Sequence, residues 1–391
     1  MMFVAPAGAS SRDSLRLGSG ASGLPPHQVH NPAGYSAAAD RGRWEVAAGL
    51  VSASAAVLAA GTRRWRRRQA AAGRASQVRP GATAQAVDLP SLEKLDALLD
   101  QAISAEVDGA PSEVVENAEA QALRLLDTEL SGRLPGFGTG DAQVEKREYT
   151  LKDLAENGIE AAKLLSPQDT TLDGVRQGLS IALAVGGAAL IILLRLTFMD
   201  LVLFILAGTT GFLVDQLVNQ GGLEFTILDT IGRAFNAEYR NRVAMHEAGH
   251  FLVAYLVGIL PKAYTLSALD AVLRYKSPGV QAGCTFCDKA FQAEVATGTI
   301  KGKSLDRVVC VAVAGVAIEF LLFGQANGGI TDIQQMEALF QSLRFDQRRT
   351  NAQLRWSVLN VVGLLRRYAD VHKSLAEAML RGALSESVSR L

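Results

Sequence analysis

Cysteine occurs only three times in 391 residues, too few for a disulfide framework, which points to a reducing compartment. Histidine is nearly as scarce at five: His27 and His30 near the N-terminus, His246 and His250 four apart, and His372 near the C-terminus. Net charge is absent too, with 39 Lys and Arg against 39 Asp and Glu. That zero hides a segregation. Residues 1–85 carry eleven Arg, no Lys and three acids (Asp13, Asp40, Glu45), leaving 36 acids against 28 basic residues in the other 306. A nucleic-acid binder is disfavoured, because the part long enough to fold is acidic and lacks a basic face. No GxxxxGK[ST] run occurs, and Gly298–Ser304 falls one residue short of the length that lets backbone amides wrap phosphates. No ATP binding is expected. That stretch reads as a turn into a helix with Ser304 as its N-cap.

The first 85 residues are also poor in large apolar side chains. Rich in Ala, Gly, Ser and Arg, they cannot bury enough surface to offset ordering entropy, and they match an organelle transit peptide, plastid or alternatively mitochondrial. Within them the Val46–Gly61 run, followed by Arg63, Arg64, Arg66, Arg67 and Arg68, is 16 mostly small residues, short of the ~20 a membrane span needs. It reads as part of the transit peptide, with a second targeting element or an anchor as the alternative.

Over residues 86–170, Leu92, Leu95, Leu98 and Leu99, then Leu123, Leu126 and Leu130, recur at helical spacing and predict a soluble region of amphipathic helices interrupted by Leu134–Gly140. Long uncharged runs follow. Gly178–Leu194 has 17 residues without a charge, and Leu196–Val218 is broken only by Asp200 and Asp215. Residues 176–218 therefore predict one or two transmembrane helices, as two crossings or as one crossing and an interfacial helix. Charge at a bilayer centre costs ~2.5 to 3.5 kcal/mol, so Arg195 and Asp200 are expected at a turn near an interface. The alternative is a buried hairpin of a soluble core, closely packed through Gly186, Gly187, Gly208 and Gly211.

Residues 236–391 form a further block of mainly helical periodicity. Cys284 and Cys287 have CxxC spacing but no second pair and no βαβ pattern around them, so they read as ordinary thiols. Short strands are expected around Tyr264–Tyr275, a packing helix over Gln353–Tyr368, and a surface position for His372. Ala237–Leu260 reads as one helix ended by Pro261, and it contains His246-Glu247-Ala248-Gly249-His250, an HExxH motif. Residues four apart share a helix face with Cβ atoms ~5 to 6 Å apart, so two imidazoles can converge on one Zn²⁺. Glu247, one residue on, is placed to take a proton from water at the metal as the catalytic base. Gly249 costs a helix ~1 kcal/mol against Ala, which predicts close approach of another backbone or of substrate.

HEAGHFLVAYLVG resembles the active-site helix of the FtsH family of membrane-anchored zinc proteases, in which HEAGH is the usual form. Ala314-Gly315-Val316-Ala317-Ile318-Glu319, with Phe323-Gly324 after it, is similar to the family's Gly-Gly-Arg-Ala-Ala-Glu-Glu segment. Gly328-Gly329-Ile330-Thr331-Asp332 resembles the segment that supplies the third zinc ligand. The resemblance, over residues 236–340, implies ligands His246, His250 and Asp332, Glu247 as general base, and Glu319 as either competing third ligand or a partner behind the ligands. With PKAYTLSALDA after the helix, the likeness is greatest to FtsH-like proteins of plant and algal plastids that lack the ATPase module. Only 17 residues separate Val218 from Asn236, where the family carries that module, and Val316 and Phe320 replace its Arg and second Glu.

The expectation is a mainly α fold. A helical zinc-metallopeptidase domain, residues 236–391, follows a transmembrane hairpin, its HExxH helix packed on a helix from Ser304 to Phe323. The function implied is ATP-independent zinc endopeptidase action on unfolded or membrane-exposed polypeptides, at a thylakoid or envelope membrane. The alternative is a membrane scaffold with a vestigial site. Homo-oligomerisation or association with larger protease complexes stays open.

Overall fold

The computed structural model describes residues 89–382 except 141, 168–169, 220 and 276–280. The transit-peptide expectation and the Val46–Gly61 run lie outside the described residues. Two helices, α1 (Leu89–Val107) and α2 (Ser112–Thr128), pair first. Short helices α3 (Leu151–Glu156) and α4 (Ala161–Leu165) lead to two long apolar ones, α5 (Asp173–Leu194) and α6 (Phe198–Val218). Then come α7 (Gly222–Phe235), the motif helix α8 (Ala237–Val257), β1 (Leu260–Thr265), α9 (Ala268–Tyr275), β2 (Gly283–Cys287) and α10 (Lys289–Ala296). The chain continues as α11 (Gly302–Ala312), α12 (Ala314–Phe323), α13 (Ile330–Ser342), α14 (Gln347–Arg367) and α15 (Ala369–Leu380). The fold is mainly helical, with one antiparallel pair of strands among the described residues.

Helix α8 is the centre of the packing. From His246 to Val257 every residue is buried, which fits a helix apolar on all sides except where chemistry intervenes. Around it pack α7, α11, α12, α14, α15 and both strands. The Leu134–Gly140 stretch closes its C-terminal end: Gly138 and Gly140 donate to the carbonyls of Tyr255 and Leu256 at 3.2 and 2.7 Å, groups a helix end otherwise leaves unpaired. The Tyr255 hydroxyl donates back to Pro135 at 3.0 Å. Tyr149, Leu154, Ile159 and Leu164 lie in the same hydrophobic core as α8. Helices α1 and α2 make a second core with Leu260 and Cys287. They are pinned there by buried Lys262, whose Nζ donates to Glu106 and Glu119 at 2.8 Å each.

Helices α5 and α6 are long and apolar enough to cross a membrane, and their side chains are almost wholly uncovered by protein. Among the described residues this goes against the alternative of a buried soluble hairpin: Gly186, Gly187, Gly208 and Gly211 have no described group within 4 Å of where a Cβ would stand. Arg195 ends α5 in the left-handed region (φ 50°), and Thr197 caps α6, its Oγ1 accepting from Asp200 N at 3.3 Å while Asp200 accepts from Thr197 N at 2.9 Å, so Arg195 and Asp200 both stand at the turn as expected. Residues before the pair (149–164) and after it (244 onward) share one core.

Several local expectations are corrected. The motif helix stops at Val257, not at Pro261, because Gly258 takes φ 82° and Ile259 N closes back onto Ala254 O at 2.8 Å. Pro261 lies in β1, opposite Phe286. Residues 268–275, within the expected strand region, are helical, and the second strand is 283–287. The helix expected from Ser304 to Phe323 is two, broken at Val313. Ser304 is not a cap: α11 starts at Gly302, and Glu294 from α10 accepts Lys301 N at 3.1 Å. The Gln353–Tyr368 helix begins earlier, at Gln347. His372 is not a surface residue; it is 2% exposed, and its Nε2 donates to the Met245 carbonyl at 2.8 Å as α15 packs on α8.

Candidate metal centre

On α8 the four-residue spacing sets both imidazoles on one face, and α12 and α13 bring the remaining partners to it. Gly249 and Gly315 make the approach feasible. A Cβ on Gly249 would stand 2.8 Å from Ile318 Cγ2 and 3.2 Å from the Ala314 carbonyl oxygen, so the predicted close approach is by the α12 backbone. A Cβ on Gly315 would stand 2.2 Å from His246 Nε2, inside the space the ring itself needs. Asp332 enters from the first turn of α13, where the helix dipole favours a carboxylate.

Three atoms then meet. His246 Nε2 and His250 Nε2 are 3.1 Å apart, and each is 3.1 Å from Asp332 Oδ2. All three residues are buried and form a group that could hold a metal ion. The rear nitrogens are committed elsewhere: His246 Nδ1 is 2.8 Å from Glu319 Oε1, and His250 Nδ1 is 2.7 Å from the Val311 carbonyl oxygen, near the C-terminus of α11. Acceptors at both Nδ1 atoms put the protons there and leave the Nε2 lone pairs facing each other and a carboxylate. Such a triangle is repulsive unless a proton or a metal cation sits at it. A tetrahedral ion with bonds of about 2.0 to 2.1 Å sets its ligand atoms about 3.3 Å apart, close to the spacing found.

Glu319 is not among the converging atoms; it stands behind His246. Its Oε2 accepts from Arg242 Nε at 2.8 Å, Asn327 N at 2.9 Å and Gly328 N at 3.2 Å. Arg242 also donates to the Gln325 carbonyl at 3.0 Å and lies over the Phe323 ring, 4.3 Å from its centroid. Burial would raise the Glu319 carboxyl, but the hydrogen bond to His246 and the positive charges of His246 and Arg242 hold it at about 2. Burial opposes ionisation of Asp332 as well, yet the neighbouring histidines keep its carboxyl well below the usual range. In the metal-free chain burial disfavours a charged His246, and hydrogen bonds to Asp332 and Glu319 outweigh that, lifting it to about 10. The raised histidine and the lowered carboxyls are two sides of one charge pairing.

Glu247 is buried, and its Oε2 has no hydrogen-bond partner among the described residues, a costly state for a buried polar group. Cys284 Sγ donates to the Glu247 backbone carbonyl at 3.4 Å. Cys284 belongs to the core around α8 and Cys287 to the core under α1 and α2, and three positions along a strand put them on opposite faces. Both are free and buried, and burial pushes both thiols up, which suits unreactive packing residues.

Sequence reasoning singled out His246, Glu247, His250, Asp332 and Glu319; the fold brings His246, His250 and Asp332 together with Glu319 behind His246, and Glu247 is buried next to His246 on α8. It missed Arg242, although the four-residue step from Arg242 to His246 was available as a signal. It gave Gly315 no role, and a backbone acceptor such as Val311 O has no sequence signature. No protein-family model, characterised protein or solved structure matches this chain, so the centre is read from its own geometry.

Proposed function

We propose that this chain is a zinc-dependent endopeptidase anchored in an organelle membrane, of the FtsH-like kind without an ATPase module. The observation that carries the reading is the buried triangle of His246, His250 and Asp332, with Glu247 buried next to His246 in sequence. Two imidazoles and one carboxylate leave a fourth position open, the pattern of catalytic rather than structural zinc. Zinc, when bound, supplies the Lewis acidity that polarises a scissile carbonyl and acidifies water. The protein does the rest. His246, His250 and Asp332 hold the ion, while Glu319 and the Val311 carbonyl fix the ring tautomers. Glu247, whose Oε2 has no partner among the described residues, accepts the proton of the attacking water and returns it to the departing amine nitrogen.

With no ATP-driven unfolding, the substrates are unfolded, flexible or membrane-exposed polypeptides. The Arg-rich, Lys-free leader and the resemblance of the motif segments support a plastid membrane. The test is casein cleavage by the full chain in detergent, wild type beside Glu247→Gln. Cleavage falling at least ~100-fold with zinc retained fits a lost general base. Undiminished cleavage in the variant removes this mechanism, and an inactive wild type with substoichiometric zinc favours a scaffold.

A further inference from the structure

Helix α7, between the apolar pair and the motif helix, has no charge on its exposed side. Its charged residues are turned to protein. Asp229 is buried, accepting from the Tyr239 hydroxyl at 2.7 Å and from Ala268 N at 2.8 Å. Glu224 pairs with Arg176 at 3.0 Å and accepts from Gln216 at 3.0 Å, and Arg233 donates to the Leu266 carbonyl. The opposite strip, Leu223, Ile227, Thr230 and Ala234, recurs at the spacing of one helix face, is exposed and carries no charge. Leu223 and Ile227 are 50% and 53% exposed, and Phe235 at the end of the helix is 88% exposed. The Thr226 and Thr230 hydroxyls donate to the Gly222 and Thr226 carbonyls at 2.7 Å, so the strip does not need water for them either. A helix facing water sets its charges outward; α7 turns its charges inward, beside Leu228 and Phe225, and leaves an uncharged strip outside.

We propose that the outer strip of α7 lies in the headgroup and acyl boundary of the bilayer that α5 and α6 enter, so that α7 is an interfacial platform under the motif helix. The proposal rests on reading the apolar pair as a membrane anchor. Continuity identifies the occupant. Helix α7 begins four residues after α6 ends, and the corner is clamped: Asp215 in the last turn of α6 accepts from Leu223 N at 3.1 Å and Glu224 N at 3.0 Å. Arg176, Gln216 and Glu224 tie the near ends of α5, α6 and α7 together. At its other end α7 passes to α8 through the Asn236 side chain, which accepts from Tyr239 N at 3.1 Å, and through the Asp229 contact to Tyr239. At 1.5 Å per residue, His246 lies only about 14 Å along α8 from its start. The platform therefore holds the metal centre close to the lipid surface and selects chain segments that emerge from, or lie on, that surface.

Spin labels at Ile227→Cys and, separately, Thr230→Cys in the full chain in liposomes test this by collision with oxygen, which favours lipid, and with a water-soluble nickel chelate. Phe204→Cys in α6 and Lys373→Cys on the exposed side of α15 are the references, and the native cysteines are buried. The expected result is oxygen-dominated relaxation at 204, 227 and 230, and nickel-dominated relaxation at 373. Nickel-dominated relaxation at 227 and 230 with a lipid signature at 204 overturns the platform and leaves the anchor standing. A water signature at 204 as well overturns the anchor and the platform with it. Labels at 227 and 230 shielded from both reagents and broadened by a second label show that another copy of the chain covers the strip, which also overturns the proposal.

Discussion

The Nδ1 atom of His246 lies 2.8 Å from Glu319 Oε1, a contact across 73 positions of sequence that decides which nitrogen of the ring is left for a metal. Glu319 is itself held by Arg242 and two backbone amides, so it cannot turn away to take water or to become a ligand. Arg242, Glu319 and His246 form one chain of charge-assisted contacts whose end faces His250 and Asp332.

Replacing Glu319 by Gln keeps an acceptor for His246 but removes the charge and leaves Arg242 uncompensated. Zinc affinity is expected to fall about 10- to 100-fold, the usual cost of losing a partner behind a ligand. Competition against a chromophoric chelator measures it, and an unchanged affinity would separate Glu319 from the centre.

Gly315→Ala separates helix stability from metal binding. Alanine favours helix by ~1 kcal/mol over glycine, so α12 has no local reason to fail. The added Cβ, however, occupies the space of the His246 ring, 2.2 Å from Nε2. Helical circular dichroism should be retained while bound zinc is lost. Full zinc occupancy in this variant would show that the ring has room the structure does not give it.

Asp288 provides a pH dependence remote from the centre. Burial raises its carboxyl to about 6, and the Gln292 amide, donating at 2.7 Å, offsets this only in part. The folded chain thus holds this proton more tightly than the unfolded chain does. Its contribution to stability is complete below the ordinary carboxylate range and is lost as pH rises through about 6. Asp288→Asn should raise the melting temperature relative to wild type at pH 7.5 and leave it little changed at pH 4. Equal shifts at both pH values would contradict the assignment.

The sequence made the centre readable because its signals are local or nearly so. An i, i+4 histidine pair, an intervening Glu and a Gly-Gly turn before Asp332 each survive as short patterns, and the apolar pair is legible from length and charge alone. What escaped depends on distant packing. His372 looks like a surface histidine until α15 lies on α8 and the Met245 carbonyl meets it. The break at Val313 carries no Gly or Pro to announce it. At the end of α8 two stop signals compete, and Gly258 acts before Pro261 because its left-handed conformation closes the helix three residues earlier. The inward turn of the charges of α7 is likewise invisible without the partners that satisfy them.

The central claim is that His246, His250 and Asp332 together hold one zinc ion. Metal analysis of the purified full chain beside His250→Ala tests it most directly, since losing one imidazole leaves a two-ligand remnant while Val311 and Glu319 stay in place. The account predicts one zinc per chain in the wild type and essentially none in the variant. A wild type without zinc, or a variant that retains its full complement, would contradict it.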